Sequence, residues 1–255
     1  VTLLVTGGTG YLGSELVRQT GAAHPRLELL DPRALRAGFA ELHPSAVIHT
    51  AYRQDDPKVN TEGTANVAAA AAELGARLVH VSTDVVFDGT KAEPYTEDDE
   101  PNPLGEYARS KLEAERRVSE LHPGALIVRT SLLVGGREPG SHERVVLEAA
   151  SGKREMTFFE DEWRSPVLVS ELATALVELV GSDATGVLHV AGAEPMSRWE
   201  LACEIAGALG ISTDRLRRGS VADFSGPRPA NCVLDSGRAR SLISTAPGGV
   251  RGRIG

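Results

Sequence analysis

The chain has 255 residues, 41% of them hydrophobic and 24% charged, which allows one large α/β domain, or a domain plus a smaller lobe, of ordinary globular composition. A formal net charge of −8 argues against non-specific nucleic-acid binding and requires local donors for any anionic ligand. Cys203 and Cys232 are too few for a disulfide framework, so a reducing cytoplasm is the expected compartment.

In chain order, residues 1–6 are a short apolar run ended by Gly7-Gly8 and predict a buried parallel strand. Helical periodicity covers residues 11–19, residues 27–30 predict another short strand, and Pro32 opens a helix reaching about Leu42. Residues 46–51 are apolar again, and the alanine-rich segment 59–74 predicts a long helix closed by Gly75. A strand over 77–82, a helix over 106–121 and a strand over 125–130 complete a regular alternation. This is the pattern of an α/β, Rossmann-type, doubly wound parallel sheet.

After Gly135 the rhythm loosens. Helices are expected over 141–150 and 170–180, a strand over 186–190, and a helix through Leu209 behind the capping-box spacing Ser197-Arg198-Trp199-Glu200. The expected division is a dinucleotide-binding domain over 1–135 and, over 136–255, mainly a small C-terminal substrate-binding lobe, with some elements returning to the core. That lobe closes over the carboxyl edge of the sheet, where open α/β sheets bind ligands.

Two stretches carry chemistry. Thr6-Gly7-Gly8-Thr9-Gly10-Tyr11-Leu12-Gly13 places glycines at G-x-x-G-x-x-G spacing between strand and helix. The first glycines permit a tight turn and close approach to a pyrophosphate, the last lets helix and strand pack, and the helix N-terminus faces the negative charge. About twenty positions further on, an acidic residue often holds the ribose of NAD, and Glu28, beside Leu29, and Asp31 lie near that distance. Only one strand is legible between the first helix and Pro32, where a full dinucleotide fold has two. Either that second strand is truncated or residues between Gln19 and Arg26 are absent from the numbering. Arg26 and Arg33 equally suit a 2′-phosphate, so NADH and NADPH both stand as cofactors. The second stretch, Tyr107-Ala108-Arg109-Ser110-Lys111, follows the strand ending at Thr83. A tyrosine and a lysine four residues apart share a helix face, and the ammonium is expected to lower the phenol's pKa.

Together these residues resemble the extended short-chain dehydrogenase/reductases, and within them the sugar-nucleotide-binding dTDP-4-dehydrorhamnose reductase family. The likeness rests on Val59-Asn60-Thr61-Glu62-Gly63-Thr64-Ala65-Asn66, on His80-Val81-Ser82-Thr83-Asp84-Val85-Val86-Phe87-Asp88-Gly89, and on the Tyr107 to Lys111 run. Arg129-Thr130-Ser131, Arg164-Ser165-Pro166-Val167 and Arg228-Pro229-Ala230-Asn231 extend it nearly to the C-terminus. The resemblance implies hydride transfer to the 4-keto carbon of a nucleotide-linked 6-deoxy sugar, in the dTDP-rhamnose pathway. It assigns proton donation to Tyr107, pKa tuning and ribose binding to Lys111, and orientation of the carbonyl to Thr83. Thr50, Ala51 and Tyr52, ending the preceding strand, would line the cofactor groove. Leu132 stands where the family has a tryptophan near the sugar, Val85 and Ala108 are further departures, and the loop over 52–58 is shortened.

Arg144, Arg164 and Arg228 are candidates for the nucleotide diphosphate, because guanidinium suits phosphate. Trp163, beside Arg164 in the loop before Pro166, is the better ligand neighbour of the two tryptophans, Trp199 a core residue. His49, His80 and His189, inside apolar strands, read as satisfied core histidines. No metal is expected: the seven histidines are scattered, and Glu97-Asp98-Asp99-Glu100 reads as a solvated loop. No membrane segment is visible, and a homodimer is the bland expectation. Two other functions fit the same residues: reduction of a different carbonyl substrate, or non-catalytic cofactor binding, as in the regulatory subunit of methionine adenosyltransferase, which the sequence also resembles.

Overall fold

The computed structural model describes residues 2–254; Val1, at the head of the first expected strand, lies outside them. In chain order, β1 (Leu3–Thr6) leads through the glycine loop to α1 (Tyr11–Thr20), α2 (Pro32–Leu42) precedes β2 (Ala46–His49), and α3 (Thr64–Glu73) precedes β3 (Arg77–Thr83). There follow α4 (Glu106–Leu121), β4 (Leu126–Thr130), β5 (Leu133–Val134), α5 (Ser141–Ala150), β6 (Thr157–Phe159), β7 (Trp163–Arg164) and β8 (Val167–Leu168). The last elements are α6 (Val169–Val180), β9 (Gly186–His189), β10 (Met196–Ser197), α7 (Arg198–Ala208), β11 (Arg217–Gly219) and α8 (Gly237–Leu242).

The central sheet runs β1-β2-β3-β4-β9, all parallel. Alternate strand residues serve its two faces, as the pleat requires. Val5, Ile48, Val79, Val128 and Leu188 meet Leu12 and Leu16 of α1 and Leu172 and Leu176 of α6. Leu4, Val47, Leu78 and Ile127 meet Leu35 and Phe39 of α2, Val67 and Ala71 of α3, and Val118 of α4. A third core, with Val146, Phe158, Met196, Leu201 and Ile205, belongs to the lobe. This is a Rossmann-like sheet covered by helices on both faces, to which α6 and β9 contribute from the second half of the chain. Among the described residues no helix is long and apolar enough to cross a membrane.

Three expectations need correction. No strand forms over 27–30, where Leu29 and Leu30 lie in a turn. The edge of β1 instead pairs with a single residue, Ala23, whose carbonyl accepts from Val5 N–H at 2.8 Å and whose N–H donates to Leu3 at 3.1 Å. Pro25 has no N–H with which to extend that ladder. Leu29 is buried in the α2–α3 layer, and Asn66 Nδ2 donates to its carbonyl at 2.8 Å. The helix expected over 59–74 begins as a π-helical turn, Val59–Gly63, before continuing as α3. Trp163 and Arg164, expected in a loop, pair antiparallel with β10.

The core histidines divide. His49 is satisfied at both nitrogens, by Thr6 Oγ1 at 2.5 Å and Thr64 Oγ1 at 2.9 Å. His80 Nδ1 and His189 Nε2 are buried with no partner, so those two are only half satisfied. Burial holds all three imidazoles below their ordinary pKa. Trp199 packs at the margin of the lobe core, with the Arg218 guanidinium 5.9 Å from its ring centre.

Under the carboxyl half of the sheet lies a buried ion pair. Arg129 Nη2 meets Glu115 Oε2 at 2.7 Å, both side chains are 4% exposed, and Glu115 also accepts from the Ser82 hydroxyl. Removing one partner strands a buried charge, so Glu115→Ala is expected to lower unfolding free energy by ~3–5 kcal/mol in urea titration. Adding Arg129→Met should recover part of that loss. A single variant with an unchanged urea midpoint would contradict the pairing.

Candidate active site

Gly7 turns the chain out of β1 with φ +76°, and a Cβ there would lie 2.7 Å from Ala51 N and 2.8 Å from Thr50 Oγ1. At Gly13 a Cβ would lie 2.0 Å from the Gly7 carbonyl oxygen, so loop, β2 and α1 close up only because these side chains are missing. Helix α1 has Gly10 at its N-cap, no side-chain cap and no acidic residue in its first turn. Its first N–H groups therefore have no competing carboxylate, and the cradle fits the pyrophosphate of a dinucleotide cofactor.

Around the cradle the expected cofactor residues separate. Thr9 and Gly10 are exposed on the loop, whereas Leu12 is buried beneath it. Tyr11 reaches toward the lobe: its hydroxyl donates to Glu143 Oε1 at 3.1 Å and accepts from Gly136 N–H at 2.7 Å. Burial, reinforced by Glu143, raises its pKa. Thr50 Oγ1 donates to the Thr6 carbonyl at 2.8 Å, and Ala51 lies against Gly7. Tyr52 is 56% exposed, its ring centre 5.9 Å from that of Tyr107. Residues 50–52 thus run from the glycine loop to the tyrosine. Glu28 is exposed and off any strand, and Leu29 is turned into the core.

Tyr107 stands in the first turn of α4 and Thr83 at the end of β3, and the Thr83 side chain acts on the phenol's titration. Lys111 behaves differently from expectation. Its Nζ donates to the Val81 carbonyl at 2.8 Å and approaches His80 Nε2 at 3.5 Å. The phenol's pKa is raised, chiefly by burial and further by Tyr52 and Asp84, with the Thr83 side chain opposing. Burial lowers that of Lys111 to about 8, with Glu115 opposing. Both groups are thus pushed toward their neutral forms, because desolvation penalises charge on each. Tyr107 keeps its proton through neutral pH.

Of the residues expected to meet substrate, Leu132 packs against the lobe core, and its carbonyl accepts from Val167 N–H at 2.9 Å. Arg164, 3% exposed, is engaged within the protein: Nη2 meets Glu162 at 3.0 Å, Nε lies 3.8 Å from Asp84, and Nη1 donates to the Trp163 carbonyl. Arg144 is exposed, with Nε donating to the Pro139 carbonyl. Arg228 bonds Glu162 at 2.5 Å, and its guanidinium lies 4.8 Å from the Phe159 ring centre and 5.1 Å from that of Phe224. Arg228, Phe159 and Phe224, with Arg218, Glu155 and Asp223, line a cleft of about 380 Å³ in the lobe. Trp163 is 37% exposed.

Sequence reasoning missed Asp84 and Asn60 as organisers of the site. Asp84, 2% exposed, accepts from Ser131 Oγ at 2.6 Å and from Thr83 Oγ1 at 3.3 Å. Asn60 clamps the loop after Tyr52, accepting from Arg53 N–H and donating to the Arg53 carbonyl. Their signal was placement only: polar side chains at the carboxyl ends of neighbouring strands and in the first turn of a helix. Among the described residues no group of His, Cys, Asp or Glu is placed to hold a metal ion.

The RmlD substrate binding domain family matches residues 1–251. A dTDP-4-dehydrorhamnose reductase of Mycobacterium tuberculosis is 34% identical over 249 residues, covering 89% of this chain and 81% of its own. Methionine adenosyltransferase 2 subunit beta of Bos taurus is 31% identical over 274 residues, covering 94% and 82%. The structure superposes on dTDP-4-dehydrorhamnose reductase from Bacillus anthracis, solved in complex with NADP, with a TM-score of 0.84, 26% identity and coverage of 94% and 92%. By sequence and by fold, the chain belongs to the RmlD substrate-binding family of the extended short-chain dehydrogenase/reductases.

Proposed function

We propose that this chain is an NAD(P)H-dependent reductase of a nucleotide-linked 4-keto-6-deoxy sugar, of the dTDP-4-dehydrorhamnose reductase type. The observation that carries this reading is the junction of Tyr107 with the glycine cradle through residues 50–52, with Thr83 ending the neighbouring strand. Gly7, Thr9, Gly10, Tyr11 and Leu12 form or support the pyrophosphate turn. Nicotinamide, when bound, supplies the hydride. Thr83 hydrogen-bonds the carbonyl oxygen, and Tyr107 protonates that oxygen as charge develops on it. A phenol kept protonated by burial suits the donor role. Lys111, fixed to the Val81 carbonyl, places an ammonium one turn along the same helix face. The lobe cleft, where the Arg228 guanidinium lies over both the Phe159 and the Phe224 ring, suits the nucleoside end of an extended substrate. Leu132 and the short 52–58 loop bear on which sugar is taken, not on the hydride chemistry.

A second reading has one specific support, the 31% identity with methionine adenosyltransferase 2 subunit beta across 94% of this chain. In that reading the chain binds the dinucleotide and modulates a partner without turnover. The presence of Thr83, Tyr107 and Lys111 together favours the reductase.

With NADPH and dTDP-4-keto-6-deoxyhexose, Tyr107→Phe is expected to lower kcat by ~10²–10⁴-fold while leaving cofactor affinity nearly unchanged. A phenylalanine variant turning over at the wild-type rate would overturn the donor assignment. The pH profile follows from Lys111, which is charged below about pH 8 and neutral above it. Rates should therefore fall as pH rises through about 8, and Lys111→Arg, whose cation persists, should move that limb to higher pH. A limb unmoved by Lys111→Arg would assign it to another group.

A further inference from the structure

A row of polar side chains crosses the sheet beneath α3 and α4. Thr6, His49 and His80 are register partners on β1, β2 and β3, and the row starts beside Gly7 of the cradle. Thr6 Oγ1 and Thr64 Oγ1 pin the His49 ring at its two nitrogens. The His80 ring stacks on it, with centres 5.2 Å apart and planes 28° from parallel. Both histidines are wholly buried, and His80 faces α4 with Nε2, 3.5 Å from Lys111 Nζ.

Lys111 is buried too, yet among the described residues its ammonium forms no ion pair. Glu115, one turn further along α4, attracts it but is engaged by Arg129 and Ser82. Tyr107, one turn earlier, keeps its proton, and burial keeps His49 neutral. Two neutral acceptors therefore hold the charge, the Val81 carbonyl at 2.8 Å and His80 Nε2. An ammonium has only donors, so Nε2 must present its lone pair, which puts the ring proton on Nδ1. Nδ1 is buried without a partner, and an unpaired buried N–H is costly. Burial pushes the His80 pKa well down, so the ring stays neutral. Among the described residues Lys111 is the one hydrogen-bonding partner that this imidazole has.

We infer that His80 is a positioning residue: its neutral imidazole, fixed by stacking on His49, holds the Lys111 ammonium in its charged form against the Val81 carbonyl, one turn from Tyr107. The inference rests on the reductase reading for its effect on turnover, and not for the contact itself.

The chain has four lysines, Lys58, Lys91, Lys111 and Lys153. In the whole chain labelled with ¹³C at the lysine ε-carbons, the NMR signal lost in Lys111→Arg is therefore that of Lys111. In wild type that signal should titrate at about 8. His80→Phe keeps a ring to stack on His49 but removes the acceptor, and should move the titration down by about one unit. His80→Gln, which can place an amide oxygen where Nε2 lies, should hold it near the wild-type value, whereas the shorter His80→Asn should not. The contrast between those two amides decides the matter if the phenylalanine variant does not fold. With NADPH and dTDP-4-keto-6-deoxyhexose, His80→Phe should then lose about fivefold in rate at pH 8 and almost nothing at pH 6, where a merely structural defect would slow both. A Lys111 signal unmoved in folded His80→Phe, or moved equally by His80→Gln and His80→Asn, would overturn the role of His80. A shifted titration with no turnover even in wild type would uphold that role and overturn the reductase reading instead.

Discussion

The carboxylate of Asp84 is the point on which the reactive edge depends. It lies just past the end of β3, buried, and accepts hydrogen bonds from Thr83 beside it and from Ser131 beyond β4. Burial raises its pKa, while Arg164, Ser131 and Thr83 pull the other way. Ser131 Oγ in turn accepts from Ser165 N–H at 3.2 Å, and Arg164 continues the chain to Glu162 and Arg228. One carboxylate thereby joins two sheet strands to the lobe and fixes the Thr83 hydroxyl relative to the aromatic cleft. Buried ionic chains of this kind contribute little net stability, but breaking one is costly, so what they supply is a defined geometry.

Strand β3 anchors the candidate site twice. Its last side chain is Thr83, and its Val81 carbonyl holds the Lys111 ammonium. Tyr107 is therefore located between two groups anchored to the same strand, one through a side chain and one through the backbone. Desolvation keeps the phenol protonated, and the lysine sits near the pH at which it loses its charge. In the proposed reaction, proton donation would draw on burial of Tyr107 more than on a depressed phenol pKa.

Much of this was legible in the sequence. Apolar runs of strand length ended by glycine or polar residues located β1, β3 and β4, and the capping box at Ser197 is present in both its halves. The glycine spacing located the cradle because backbone approach excludes side chains there. Residues 27–30 misled because a short apolar run buried under helices reads the same as one buried in a sheet. The Tyr107–Lys111 spacing showed proximity, but not that a strand carbonyl would take the ammonium. Asp84, Ser131 and Arg164 come together across 47 and 80 positions of chain, and contacts of that range leave no local pattern. Arg164 therefore read as a substrate ligand, although its guanidinium is engaged by Glu162, Asp84 and backbone carbonyls.

The central claim is that this edge transfers hydride to a sugar carbonyl. The most direct measurement supplies cofactor deuterated at the transferring carbon, together with dTDP-4-keto-6-deoxyhexose, and reads the sugar nucleotide by mass spectrometry. Deuterium at the new carbinol carbon is the expected result. Tight cofactor binding with the label retained and the keto sugar unreduced would contradict the reductase assignment and favour a binding role.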